Sequence, residues 1–371
     1  MKPSPPLHGG AETLESLLHP GEGENRFIDF SVSINPLGPP DGLKEFLVRR
    51  LRAISVYPEI TAATLTDRIA DCHGYSKDWV IVGNGTADLL FAFASLYERK
   101  KAVIPFPTFV EYERVCTVHH WEIEHVPPLE GESFSFDLEG IAKVMTDGAV
   151  AFLCQPNNPT GRGIDRAELE ELLSSAEKVG GTVVVDEAFL PFSRIPSVIE
   201  WVRRWDRLVV LRSMTKSFAI PGLRLGYAVA NPTLIERWKT FLPPWNVNTL
   251  AQLAGVFCLE YGKDYMERSR QYLVHERDWL MKEIQKLPWL SPFFSEANFF
   301  LLSVNAPTFT ADEVYHALAK RGIVVRHCGS FRGMGNRYLR IGVKRREENR
   351  LLVSALRETL EDLDAGMALK R

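Results

Sequence analysis

One lysine stands where an amine could do covalent work. Lys216 lies five residues past the apolar run Leu208-Val209-Val210-Leu211, within the spacing Ser213-x-x-Lys216-(x7)-Arg224-Leu225-Gly226-Tyr227. An amine at the end of a buried strand is desolvated, which draws it toward the neutral, nucleophilic form. Ser213 and Arg224 are residue types that hold a phosphate. A lone lysine in a polar loop would read as surface, but three other features accompany this one. Gly83-Asn84-Gly85-Thr86-Ala87 sets glycines before a helix start, where free N–H groups can bind an anion. Asn158, in Pro156-Asn157-Asn158-Pro159-Thr160-Gly161, offers an amide donor in what is also a good turn sequence. Asp186 closes another apolar run; there a carboxylate would keep a ring nitrogen protonated, the alternative being an ordinary cap or ion pair. Phe109 could stack on a ring or fill a core. A cofactor with a phosphate, an aldehyde and a basic ring nitrogen would engage all of these residues.

Such residues need elements to bring them together. Apolar runs at 79–82, 101–105, 121–126, 150–154, 182–185 and 208–211 read as strands, and helical patterns fall between them at 86–97, from 107, at 138–145 and at 165–179. Alternating units of this length predict an α/β fold with a mostly parallel sheet flanked by helices. Ligands bind such sheets at the carboxyl ends of the strands, so residues 155–161, Asp186 and Lys216 should converge. Lys216 itself reads as part of a polar loop, and a strand over 223–230 carries Arg224 near its start.

Residues 1–42 are rich in Pro and Gly and read as an ordered arm with one short strand. A helix is expected over 41–54 with Asp41 as its N-cap, then a break at Tyr57-Pro58-Glu59 and a helix over 61–73. Past the helix at 249–261, a long helix (263–287), a strand (298–303), a helix (311–321), strands near 324–326 and 338–343 and a last helix (347–363) describe a smaller α+β domain. The expected division is a large domain at 43–262, with 1–42 and 263–371 forming the arm and the small domain.

Composition narrows the classes. The chain has 371 residues, 45% hydrophobic and 25% charged, with net charge -3, an ordinary globular balance without the basic excess that nucleic acid or an anionic membrane would select. No apolar run reaches the roughly 18 residues of a membrane helix, and the first residues lack the apolar stretch of a signal peptide. Five scattered cysteines, Cys72, Cys116, Cys154, Cys258 and Cys328, read as free thiols of a reducing cytoplasm, with neither a zinc site nor a disulfide framework expected.

Taken together, Gly83-Asn84-Gly85, Pro156 to Gly161, Asp186-Glu187-Ala188-Phe189 and the Ser213–Lys216–Arg224 motif resemble the pyridoxal-phosphate enzymes of the aspartate-aminotransferase fold, in order and over nearly the whole chain. The resemblance implies a fold type I large domain and pyridoxal 5'-phosphate as cofactor. It gives Lys216 the covalent link to that cofactor, Asp186 the ring nitrogen, Asn158 the ring hydroxyl and Phe109 the ring face. Gly85, Thr86, Ala87, Ser213 and Arg224 would hold the phosphate, joined by Tyr57 from a partner subunit, which implies a homodimer.

Two branches are nearest in appearance, L-threonine-O-3-phosphate decarboxylase of cobalamin biosynthesis and histidinol-phosphate aminotransferase. The first is favoured by His8-Gly9-Gly10 with Asp29-Phe30-Ser31-x-Ser33-Ile34-Asn35-Pro36-Leu37-Gly38, by Phe189 where aminotransferases usually carry tyrosine, and by Pro244-Trp245-Asn246-Val247-Asn248. The chain departs from that branch at Ser33, where asparagine is common. The expected reaction is decarboxylation of L-threonine O-3-phosphate to (R)-1-amino-2-propanol O-2-phosphate. His8, Gly9, Ser33, Asn158, Arg326 and Arg340 would contact the substrate, neither arginine being assigned to one anion. The competing expectations are a histidinol-phosphate-type aminotransferase and a decarboxylase preferring L-serine O-phosphate.

Overall fold

The structure, a computed structural model, describes residues 9–10, 27–131 and 134–368, with side chains up to 365. Its main sheet has seven strands: β2 (Val80–Gly83), β3 (Lys101–Pro105), β4 (Glu122–Val126), β5 (Val150–Cys154), β6 (Thr182–Asp186), β7 (Leu208–Ser213) and β8 (Gly226–Val229), after the short β1 (Ile28–Asp29) of the arm. Their order is β2-β8-β7-β6-β5-β3-β4. Strands β3 to β7 run parallel, while β8 is antiparallel to both β7 and β2.

The sheet is central because its strands are apolar on both faces. Along β6, Val183 and Val185 enter one buried cluster and Val184 the other, so alternate residues serve two cores and helices cover both sides. The helix Thr86–Ala94 fits against β8 only because residue 226 is glycine: a Cβ there would lie 2.8 Å from the Thr86 backbone nitrogen.

A second, antiparallel sheet follows. Its strands β9 (Leu290–Pro292), β10 (Phe299–Val304), β12 (Arg326–His327) and β13 (Tyr338–Gly342) lie in the order β12-β13-β10-β9. The helices Lys263–Ile284, Ala311–Lys320 and Arg346–Ala368 contribute to its core with Leu280, Val314 and Leu356. The arm strand β1 pairs in parallel with β11 (Ile323–Val324), and Gly342 donates its N–H to the Phe30 carbonyl at 2.8 Å. The arm is thereby stitched to the second sheet.

Several boundaries differ from the sequence expectations. The run near 324–326 serves two sheets: Ile323–Val324 pairs with the arm and Arg326–His327 joins β13. The helix expected over 41–54 is a short one, Leu43–Val48, capped by Gly42 rather than Asp41 and followed by a 3-10 turn at Leu51–Ser55. Arg224 precedes its strand instead of starting it. Its φ of 56° places it in the left-handed region after the Pro221–Leu223 turn, and β8 begins only at Gly226. Lys216 lies not in a loop but on a single helical turn, Met214–Ser217.

Candidate active site

The parallel strands deliver the expected residues to one end of the sheet. Asp186 is the last residue of β6 and pairs in register with Cys154, the last of β5, just before Asn157 and Asn158. Ser213 ends β7, and the turn after it presents Lys216. The Lys216 amine donates to Ser213 Oγ at 3.3 Å and lies 5.4 Å from the centre of the Phe189 ring. Burial holds this amine below the ordinary lysine range; Asp186 opposes the effect, and the Arg224 and Arg340 charges add to it.

Asp186 shows the complementary behaviour. Its burial raises its pKa, while Lys216, the Tyr112 phenol and the Ala188 N–H favour its ionised form. A buried carboxylate without such compensation costs several kcal/mol. Each of these two groups therefore makes the other tolerable.

Arg224 crosses the start of the glycine-initiated helix. Gly85 has φ 86°, and a Cβ there would meet Arg224 Nη2 at 2.7 Å, so the cradle needs glycine both for its backbone and for the guanidinium. Thr86 and Ala87 begin that helix, supplying free N–H groups beside a cation. Thr215, which sequence reasoning passed over, brings a second hydroxyl 2.7 Å from Ser213 Oγ. A helix start, two hydroxyls and an arginine form a donor set suited to a phosphate dianion. Phe109 is half-buried and meets the Tyr112 ring edge-on at 5.5 Å.

The second sheet and the arm close the other side. Arg340 is buried; its Nη1 donates to Asn158 Oδ1 at 2.5 Å and its Nη2 to the Ser31 carbonyl at 2.7 Å. Its Nε has no protein partner among the described residues. Desolvation depresses its pKa to about 10. Arg326 stands directly across from Arg340 in the ladder and donates to Ser330 Oγ at 2.7 Å. Directly opposed like charges destabilise a sheet, and two buried guanidiniums do so more strongly. The Asp29 carboxylate offsets part of this repulsion at Arg340.

Gly9 packs against Ser31, leaving no room for a Cβ, and Gly10 donates its N–H to Ser31 Oγ at 2.9 Å. Ser33 is buried with its hydroxyl unpartnered among the described residues. Asn35 ties the arm to the lysine turn, its backbone N–H reaching the Lys216 carbonyl and its side chain the Ser217 carbonyl. The structure therefore brings together Gly85, Thr86, Ala87, Asn158, Asp186, Ser213, Lys216, Arg224 and Arg340, with Arg326 on the adjoining strand. Tyr57 is 79% exposed and packs on Trp245 at the surface of the chain. His8 lies outside the described residues. Ser31, Tyr112, Thr215 and Ser330 were missed: a carbonyl contact has no sequence signature, and isolated hydroxyls are too common to single out.

These residues fit pyridoxal 5'-phosphate: a cradle for its phosphate, a depressed amine for its aldehyde and a buried carboxylate for its ring nitrogen. Comparisons with known proteins agree. The family model "Aminotransferase class I and II" matches residues 25–356. The threonine-phosphate decarboxylase of Salmonella typhimurium is 30% identical, the match covering 95% of this chain and 96% of that one. A histidinol-phosphate aminotransferase of Methanothermobacter thermautotrophicus is 31% identical over 92% of this chain and 91% of its own. The crystal structure of L-threonine-O-3-phosphate decarboxylase from Porphyromonas gingivalis superposes with a TM-score of 0.79 at 29% identity, covering 90% of this chain and 99% of that one. The chain belongs to the class I and II aminotransferase family, and its cofactor is pyridoxal 5'-phosphate.

Proposed function

We propose that the protein decarboxylates L-threonine O-3-phosphate, releasing CO₂ and (R)-1-amino-2-propanol O-2-phosphate, a linker component for cobalamin biosynthesis. The observation that carries this reading is the cross-strand pair of buried arginines, Arg326 opposite Arg340. Two guanidiniums side by side on one face of the sheet suit a ligand that carries two anions. A phosphorylated amino acid engages both at once through its carboxylate and its phosphate, whereas an aminotransferase would use them in turn, for the phosphate of histidinol phosphate and for the carboxylates of 2-oxoglutarate.

Arg340, locked between Asn158 and Ser31, holds the carboxylate. Arg326, with the Ser330 hydroxyl beside it, holds the phosphate. Bidentate guanidinium binding suits both anions. Gly9 and Ser33 bring the arm over the substrate, with His8 as a further contact. Pyridoxal 5'-phosphate, when bound, would supply an electron sink for the bond broken at Cα. Fixing the carboxylate from the small-domain side is how Arg340 would select the C–C bond over C–H.

Lys216, depressed by burial and by two arginines, is the amine that would hold the cofactor's aldehyde and, once freed from it, the acid that would return a proton to Cα. Phe189 offers that amine a ring face and no hydroxyl. Asp186 would keep the ring nitrogen protonated, Asn158 would meet the ring hydroxyl and Phe109 would cover the ring. Ser213, Thr215, Arg224 and the N–H groups after Gly85 take the cofactor phosphate.

The same reading places the protein in the cytoplasm and makes it a homodimer, with the large domain over 43–262 and the arm and small domain in 1–42 and 263–371. Val48, Leu51, Ile54, Val56, Tyr57 and Ile60 are all exposed on one short segment, which supports a partner covering it and Tyr57 reaching the partner's cofactor phosphate. Among the described residues, no helix is long and apolar enough to cross a membrane.

A second reading, a histidinol-phosphate-type aminotransferase, rests on the comparable identity to that group. Purified holoenzyme given L-threonine O-3-phosphate with and without 2-oxoglutarate separates the two. The proposal expects CO₂ evolution indifferent to 2-oxoglutarate; transamination of histidinol phosphate that requires 2-oxoglutarate selects the alternative. L-Serine O-phosphate, assayed alongside, differs by one methyl worth about 1 kcal/mol.

A further inference from the structure

We infer that Tyr112 is a positioning residue for the cofactor ring, its buried phenol holding Asp186 ionised and aimed at the ring nitrogen. Tyr112 is fully buried on the helix Glu111–Val118, and its hydroxyl donates to Asp186 Oδ2 at 2.9 Å. The Ala188 N–H donates to Oδ1 at 2.9 Å. The two carboxylate oxygens are thus tethered from different elements, which fixes the plane of the group.

The phenol ring is fixed as firmly. It stacks on Phe152 of β5 at 5.5 Å with 15° between planes, and Phe109 meets it nearly at right angles, also at 5.5 Å. One side chain therefore backs the residue assigned to the ring face and orients the residue assigned to the ring nitrogen. Phenylalanine would fill this volume equally well. A buried hydroxyl carries a desolvation cost unless it is paired, and its acceptor here is the Asp186 carboxylate.

The consequence is electrostatic. Burial alone favours the protonated acid at Asp186, and the phenol hydrogen bond opposes it. Without that donor the carboxylate becomes more basic and draws the proton away from the ring nitrogen. This holds for decarboxylation and transamination alike; it rests only on Asp186 facing the ring nitrogen.

The test uses holoenzyme reconstituted with pyridoxal phosphate carrying ¹⁵N in its ring, in wild type, Tyr112→Phe and Asp186→Asn. Both variants should move the ring ¹⁵N resonance toward the unprotonated position, and Tyr112→Phe should weaken cofactor binding about tenfold. The 1-deaza cofactor analogue, which has no ring nitrogen, should bind wild type and Tyr112→Phe alike. Should Tyr112→Phe fold poorly, 3-fluorotyrosine at position 112 keeps the volume, strengthens the donor and should move the resonance the opposite way. An Asp186→Asn shift without a Tyr112→Phe shift, or equal weakening of cofactor and analogue, reduces Tyr112 to core filling and overturns the inference. No shift in either variant removes Asp186 from the ring nitrogen and the inference with it.

Discussion

The two sides of the site are built in different ways. The cofactor side comes from consecutive strand ends of one sheet: Asp186 on β6, Ser213 on β7 and Lys216 one turn later. Each arrives with a sequence motif, because a parallel sheet places the end of every strand at the same edge. The proposed substrate side is assembled from pieces far apart in the chain. Arg340 on β13 is locked by Asn158 and by the Ser31 carbonyl, 182 and 309 residues away. On the proposed reading, chemistry common to the family resides on the first side and choice of substrate on the second, which is why the first is the easier to recognise.

Substitutions can break or sharpen that contrast. The largest effect belongs to the cofactor side: Lys216→Ala should abolish the cofactor's visible absorbance and lower turnover by roughly 10³-fold or more, read by spectrum and by CO₂ release. Arg340→Leu should keep the absorbance yet lose about 3 kcal/mol, or roughly 10²-fold in kcat/KM, since it strips a buried cation from its anion. Arg326→Leu should be milder overall and lower the ratio of turnover on threonine phosphate to turnover on threonine. If Arg326→Leu lowers turnover on both substrates by the same factor, it does not read the phosphate.

Smaller effects concern protons. The Lys216 amine, depressed chiefly by burial, becomes neutral below the ordinary lysine pKa, so apoenzyme should capture pyridoxal with a pH midpoint below that of a free lysine. Arg224→Gln removes a nearby positive charge and should move the midpoint upward; using pyridoxal, which lacks the phosphate, avoids confusion with loss of the phosphate cradle. Smallest is a difference among thiols. Cys154 on the cofactor side and Cys328 on the substrate side are buried with pKa pushed up to about 12, whereas Cys72 is exposed. A disulfide-exchange reagent should label Cys72 alone in folded protein and all five thiols after denaturation.

The sheet was legible because its strands are short apolar runs separated by helical patterns, and the order of its motifs carried Asp186, Asn158 and Lys216 with it. What escaped had no local signal. A non-glycine residue at positive φ, Arg224, looks from sequence like the start of a strand, although the strand begins two residues later. The segment around Val324 and Arg326 reads as one strand, yet tertiary pairing divides it between two sheets. Nothing in the sequence around Tyr112 signals that its hydroxyl meets Asp186. Apolar patterning reports which residues are buried and leaves open what their polar atoms meet.

The central claim is that bond selection at Cα favours the carboxylate. L-Threonine O-3-phosphate labelled with ¹³C at the carboxyl carbon, incubated with holoenzyme and followed by NMR, tests it most directly. The account predicts that the label leaves as CO₂ and bicarbonate at the rate at which amino-propanol phosphate forms, with no 2-oxoglutarate present. Label retained in a 2-oxo acid, appearing only when an amino acceptor is supplied, would contradict it.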